Sequence, residues 1–169
     1  MFRKWRFIFL LVMSAFLLTA CNESLGERAK AGIDAAGEAF QSNDKEPTEE
    51  IDGVTLYKPN GFTISDHSDP QNIVFTKGKD TYILFINPNE KNDSQLVYDL
   101  LLADQSKDVI EQETFSDNGA FGFAAVVKSE NDQIELITGV GGSKMTTMTT
   151  KKNIEENLAS MMEVVRSIK

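Results

Sequence analysis

The stretch Thr114–Lys128, "TFSDNGAFGFAAVVK", decides how the chain is read. Asn118-Gly119 sits between two runs of strand-forming residues, and Asn-Gly accepts the positive φ angles of a type I′ hairpin turn. The chain therefore reverses here. "DVIEQETFS" (Asp108–Ser116) precedes the turn and is polar enough to be an edge strand. "AFGFAAVVK" (Ala120–Lys128) follows it. Because strand side chains alternate, Phe121, Phe123, Ala125 and Val127 share one face. Gly122 and Ala124 on the other face leave room for a packed helix.

Working outward, a second turn at Ser129–Asp132 leads into "QIELITGV", where Ile134, Leu136 and Val140 alternate with Gln133 and Glu135. Upstream, "NIVFTKGKDTYILFINP" reads as a hairpin, with strands near Asn72–Thr76 and Thr81–Asn87 joined by Lys77-Gly78-Lys79-Asp80. Tyr82–Ile86 is apolar on both faces, which predicts a central strand covered on both sides. "GVTLYKP" (Gly53–Pro59) and "NGFTIS" after the turn at Pro59-Asn60-Gly61 complete the strands before it.

Two helices fit between and after these strands. "NDSQLVYDLLLADQSK" predicts one over about 94–105, capped by Asp93 or Ser94, with Val97, Leu100, Leu101 and Asp104 on one stripe. "TTKKNIEENLASMMEVVRSIK" predicts the other, with Ile154, Leu158, Met161, Val165 and Ile168 at helical spacing and Met162 widening the stripe. Its Arg166 and Lys169 sit at the C-terminal end, as the helix dipole prefers. The expected fold class is α+β: an antiparallel sheet of about six to seven strands packed by two helices, over residues 51–169. The opening "YKPNGFTI" (Tyr57–Ile64), the meanders and the C-terminal helix resemble the PsbP/Mog1-type α/β/α sandwich. Members of that group serve varied binding and assembly roles, so the resemblance implies a binding scaffold and transfers no site residue.

The first twenty residues differ from the rest of the 169-residue chain. Arg3, Lys4 and Arg6 precede an apolar run of 14 residues, Phe7–Ala20. This is the layout of a secretory signal peptide, and it is short of the about 20 residues a membrane span needs. Leu18-Thr19-Ala20-Cys21 resembles the bacterial lipobox. That resemblance implies cleavage between Ala20 and Cys21 and a diacylglyceryl group on the sulfur of Cys21, the chain's one cysteine. Two acyl chains give a stable anchor where one is marginal. The expected location is the extracytoplasmic face of the cell membrane, with the Lys/Glu/Asn/Ile-rich composition favouring a Gram-positive envelope.

Removal of residues 1–20 takes away Arg3, Lys4 and Arg6 and leaves 14 basic against 26 acidic residues, near −12. Such a charge excludes nucleic acid as a partner class, since backbone contacts need clustered Lys and Arg. Residues 21–50 are polar and rich in Ala, Gly and Glu, a composition that buries too little surface to fold alone. They are expected as a lipidated tether reaching roughly 30 Å if flexible. The alternative is a helix packed on the domain or on a partner. Leu25, Ala29, Ile33, Ala36 and Phe40 have helical spacing, but Gly26, Gly32 and Gly37 weaken it.

Four motifs raise chemistry. "SDHSDP" (Ser65–Pro70) places His67, the one histidine, between Asp66 and Asp69. These could ligate a metal, although Asp, Ser and Pro are also ordinary turn residues. His67 would also have to serve any Ser–His–Asp site, and no nucleophile-elbow motif accompanies it. "GVGGSK" (Gly139–Lys144) lacks the P-loop spacing and its following helix, and reads as a bulge or bend after which the strand resumes. Glu111 and Glu113 share a strand face. Thr146–Thr150 could form a hydroxyl-rich ligand rim, but reads as an edge strand and helix cap. These features predict a non-enzymatic binding or assembly module of the cell envelope, without metal or cofactor, whose partner is an envelope protein. The alternative is a solute-binding lipoprotein with a pocket lined by Phe62, Phe121 or Phe123. A metal-dependent hydrolase using the His67 loop is the remote third reading.

Overall fold

Asn118 and Gly119 both have positive φ, 48° and 75°, as a type I′ turn requires. The computed structural model containing this hairpin describes residues 23–131 and 133–169. The expected cleavage and lipidation site at Ala20 and Cys21 lies outside the described residues. In chain order the elements are α1 (Leu25–Ser42), β1 (Glu49–Ile51), β2 (Val54–Leu56), β3 (Thr63–Ile64), β4 (Asn72–Lys77), β5 (Asp80–Ile86), α2 (Leu96–Ala103), β6 (Asp108–Asp117), β7 (Ala120–Lys128), β8 (Ile134–Val140), β9 (Ser143–Thr149) and α3 (Ile154–Arg166). Seven strands form one antiparallel sheet in the order β3-β4-β5-β9-β8-β7-β6, and β1 and β2 form a separate pair. The fold is therefore α+β.

The helix count differs from the expectation of two. Residues 25–42, expected as tether, form α1, which lies beside α3 on one face of the sheet and buries Ala29, Ile33, Ala36 and Phe40 completely or nearly so. Ser24 and Glu27 make a capping box at its start, satisfying orphan backbone donors there. Two of the three glycines that argued against the helix, Gly32 and Gly37, are what let it pack. A Cβ on Gly32 would lie 2.7 Å from Ile154 Cγ2 and 2.9 Å from Leu158 Cδ1 of α3. A Cβ on Gly37 would lie 2.9 Å from Phe115 of β6.

The vacancy expected at Gly122 is real and is filled by α1. A Cβ there would stand 2.5 Å from the Phe40 ring. Phe40 also packs against Phe115, with ring centroids 5.7 Å apart. Arg166, at the end of α3, lies over the Phe40 ring at 4.7 Å, donates to the Phe40 carbonyl and pairs with Asp117 at 3.3 Å. One aromatic ring thus joins both helices to the β6–β7 hairpin. The C-terminus closes the same end, because the backbones of Lys169 and Thr55 exchange two hydrogen bonds.

Two strand expectations are corrected. Thr146–Thr150 is not an edge: β9 is the middle strand of the seven, between β5 and β8. Gly141-Gly142 is a two-residue hairpin turn, with φ +54° at Gly141, and not a bend within one strand. The reversal sends β9 back along β8 to reach β5, so a Thr-rich segment becomes central. Its polarity is accommodated in part by Thr147, whose hydroxyl donates to the Thr81 carbonyl at 2.8 Å. α2 is shorter than expected and starts after Gln95, with no side-chain cap.

Tyr82 shows how the helix face treats a polar group. The side chain is fully buried and its hydroxyl donates to Asn157 Oδ1 at 3.1 Å. Burial, with smaller contributions from Asp80 and Glu156, pushes the phenol up to about 12. The unfolded phenol ionises near 10, so its contribution to stability is fully present below pH 10 and is lost between about pH 10 and 12. Absorbance titration at 295 nm should show a late-ionising phenol that Tyr82→Phe removes, together with the alkaline loss of stability over that interval. A second expectation separates a core helix from a tether. Phe40→Ala should lower the unfolding free energy by about 3–5 kcal/mol in denaturant titration, whereas a residue in a solvated tether would give almost no change.

Candidate functional site

The other face of the sheet is only half covered. Its cross-strand rows follow from the register. Val74, Ile83, Thr146, Ile137 and Ala125 form one row, and Asn72, Phe85, Lys144, Gly139 and Phe123 form the next. α2 lies over the β7–β8 half: Val97 and Leu101 pack with Phe123, Ala125, Val127 and Ile137. Tyr98 stacks against Phe121 and Phe123 at centroid distances of 5.8 and 5.3 Å. An eight-residue helix is only about 12 Å long, and nothing among the described residues covers β5 and β9 beyond it.

The expectation that Tyr82–Ile86 is covered on both sides is therefore corrected. Tyr82, Leu84 and Ile86 are buried under the α1–α3 layer, but Ile83 and Phe85 are 49% and 39% exposed. Met148 is 43% exposed, and Leu100, expected on the buried stripe of α2, is 61% exposed at the rim. Two neighbouring hollows mark this surface. One, of about 270 Å³, runs between α2 and the sheet and includes Phe85, Leu100, Ile137 and Lys144. The other, of about 310 Å³, lies over Ile83, Thr146 and Met148, with Lys79 and Asp80 at its rim. Both include Glu135, which is ion-paired with Lys107. Lys144 projects from the central strand beside Phe85, and among the described residues no carboxylate is paired with it. The surface offers a strip of apolar side chains with an unpaired cation, Lys144, within it and Lys79 at its rim.

A larger hollow, of about 550 Å³, lies in the seam between α1 and α3. Several of its polar groups are already engaged. Arg28 donates to the Lys151 carbonyl and lies 3.7 Å from Glu23. The Ser24 backbone N–H, and then its hydroxyl, hold the Glu27 carboxyl below the usual carboxylate range. Glu156 pairs with Lys77 at 2.6 Å.

The residues nominated from sequence do not converge. His67 is exposed on the loop between β3 and β4, and its backbone N–H donates to Ser65 Oγ. Asp69 accepts from the backbone N–H groups of Gln71 and Asn72, both at 2.8 Å, which lowers its pKa and closes a turn. Among the described residues no group of three His, Cys, Asp or Glu side chains is placed to hold a metal ion. Glu111 and Glu113 lie on the edge strand β6. Phe62 packs in the helix-side core against Phe75 and Tyr82, whereas Phe121 and Phe123 lie under α2 on the opposite face. The three aromatics proposed to line one pocket are thus separated by the sheet. The open surface around Ile83, Phe85, Lys144 and Met148 was not foreseen as a site from sequence, although Lys144 and Met148 lie in the Gly139–Lys144 and Thr146–Thr150 stretches considered there. The available signal was the doubly apolar run Tyr82–Ile86, with too short a helix to cover its second face.

No protein-family model matches the chain. No curated protein matches it either. Six chains of solved structures match. Among them is the solution structure of cyanobacterial PsbP (CyanoP) from Synechocystis sp. PCC 6803, at 14% identity and a TM-score of 0.40, over 72% of this chain and 89% of that one. That likeness carries no site, ligand or activity across to this protein.

Because Ile83 and Phe85 point away from the core, Ile83→Lys and Phe85→Lys should change the unfolding free energy by no more than about 0.5 kcal/mol. Leu84→Lys, one residue away on the buried face, should abolish folding. Denaturant unfolding of the three variants checks both expectations.

Proposed function

We propose that the protein is a non-enzymatic cell-envelope lipoprotein, held to the membrane by a diacylglyceryl group on Cys21, whose domain binds a partner protein on the open half of its sheet. The observation that carries the binding part of this reading is the bare β5–β9 strip, with Ile83, Phe85 and Met148 exposed on a strand pair at the centre of the fold. Exposed apolar strips of this kind, rimmed by polar groups, mark interaction surfaces. Lys144 adds charge selectivity. A partner segment bearing apolar side chains and a carboxylate would bury the strip and pair the ammonium, which no carboxylate among the described residues pairs. The lipobox at Leu18–Cys21 supports the anchor.

A solute-binding role is the second reading. Small-ligand sites enclose about 70–90% of the ligand, and the two hollows on this face are bordered by the exposed side chains of Ile83, Phe85, Leu100 and Met148. A protein surface suits that shape better. A photo-crosslinking residue placed at position 83 or 85 of the lipoprotein in cells tests the reading. One defined adduct should form, should disappear with Lys144→Glu or Met148→Lys, and should be absent when the crosslinker is at His67. An adduct with a second copy of the chain, or adducts that ignore these substitutions, would overturn it.

A further inference from the structure

We propose that the end of the domain bearing the N-termini of α1 and α3 rests on the phospholipid headgroup layer, so that the open sheet face looks sideways along the membrane plane. This rests on the lipid anchor at Cys21 proposed above. Only Asn22, Glu23 and Ser24 separate Cys21 from Leu25, the first residue of α1. An extended chain spans at most about 3.3–3.6 Å per residue. Leu25 therefore lies within about 15 Å of the lipidated residue, whatever path the connection takes. A tether reaching roughly 30 Å, as a flexible segment of 30 residues would, does not exist in this arrangement.

The start of α1 is also fixed to the domain. The capping box at Ser24 and Glu27 holds its first turn, Arg28 donates to the Lys151 carbonyl at 3.2 Å, and Gly32 lies against Ile154 and Leu158. The anchor thus pulls on a built part of the fold. α1 and α3 run parallel: Gly32 meets the first residues of α3, and Phe40 meets Arg166 at its end. Several loops share the end where both helices start. Lys77 pairs with Glu156, which brings the β4–β5 turn at Gly78-Lys79 to the first turn of α3. Residues Thr150–Asn153 lead from β9 into α3. The pairs Ile134↔Thr149 and Lys128↔Ile134 put the β7–β8 turn there too.

Lys79, Lys151 and Lys152 are exposed on these loops, and Lys128 is exposed at the end of β7, 4.0 Å from Asp108. Ammonium groups donate to headgroup phosphates. Glu23, Asp108, Glu130, Glu155 and Glu156 are exposed at the same end, so the short connection, and not net charge, sets the contact. The far end carries the His67 loop, the loop after β5 at Asn89 and the Gly141-Gly142 turn. The 18 residues of α1 separate the two ends by about 27 Å. Helices and strands then stand up from the bilayer, and a partner reaching the strip at Ile83, Phe85 and Met148 approaches from the side. It would itself be embedded in, or anchored to, the same membrane.

The test uses the lipidated protein in vesicles of phosphatidylcholine and phosphatidylglycerol. Once Cys21 is a thioether, Lys79→Cys, Lys152→Cys, His67→Cys and Asn89→Cys each offer a single free thiol for a fluorophore. With a headgroup-attached nitroxide lipid as quencher, positions 79 and 152 should be quenched several-fold more than 67 and 89. Equal quenching at both ends, or stronger quenching at 67 and 89, overturns the orientation. Inserting a flexible Gly/Ser segment of about 15 residues after Asn22, with a reach of roughly 20 Å, should erase the difference while vesicle binding persists. A difference that survives the insertion overturns the short connection as its cause. Intact mass separates the two proposals. A protein without the diacylglyceryl mass that does not float with vesicles overturns the anchor and this inference together, whereas a lipidated protein with equal quenching overturns the orientation alone.

Discussion

The insertion of Phe40 into the space left by Gly122 is the contact on which the rest of the structure depends. β7 can be flat on that side because residue 122 has no side chain, and α1 can lie close to it because Gly37 has none facing Phe115. Once the ring is seated, Arg166 lies over it and carries the end of α3 to Asp117 at the β6–β7 hairpin. Cation and ring attract one another here in a partly desolvated position, where such a contact is worth more than on an open surface. Glycine inside a helix costs roughly 0.5–1 kcal/mol relative to alanine, and α1 has three. Burial of Ile33 and Phe40, at roughly 1.5–3 kcal/mol each, outweighs that cost. α1 is therefore a helix because of what it packs against and not because of its own propensity.

The same fact explains what the sequence could and could not disclose. The hairpins at Gly78-Lys79 and Asn118-Gly119, the alternation along β7 and β8, and the stripe of α3 are local signals, and all were legible. The gap at Gly122 and Ala124 was legible as well. What fills it was not, because the partner lies about eighty residues away in a segment whose glycines speak against a helix when read alone. Ser24 and Glu27 did carry a start signal, the S-x-x-E capping pattern. The position of β9 was hidden for a different reason. Central strands are usually apolar, and a run of Met and Thr looks like an edge until the Gly141-Gly142 reversal places it between β8 and β5.

The candidate surface follows from a mismatch of lengths. Seven strands at roughly 4.8 Å spacing make a sheet about 30 Å wide. Two helices cover one face of it, and the short α2 covers only the β7–β8 half of the other. Reading Tyr82–Ile86 as covered on both sides assumed that an apolar face finds a cover within its own chain. Here Tyr82, Leu84 and Ile86 do, and Ile83 and Phe85 do not. Nothing in the local pattern of β5 separates those outcomes. They depend on where α2 stops and on which strands it crosses.

The bare strip is conspicuous because the sheet's other apolar hazards are managed. One edge strand, β3, is two residues long. The other, β6, carries Glu111 and Glu113 and a break in register between Val109 and Glu111. Short strands, inward charges and bulges all discourage edge-to-edge pairing, and a strongly acidic surface opposes association in general. A threonine or lysine at positions 83, 85 or 148 would leave the core on the opposite side of each strand untouched. The apolar residues there add little to that core, and what they offer is surface for a cover. Lys144 narrows that further, because a cover made only of apolar groups would bury an unpaired ammonium at considerable cost. The surface is thus matched to a partner that brings a carboxylate with its apolar contact, and mismatched to one that does not.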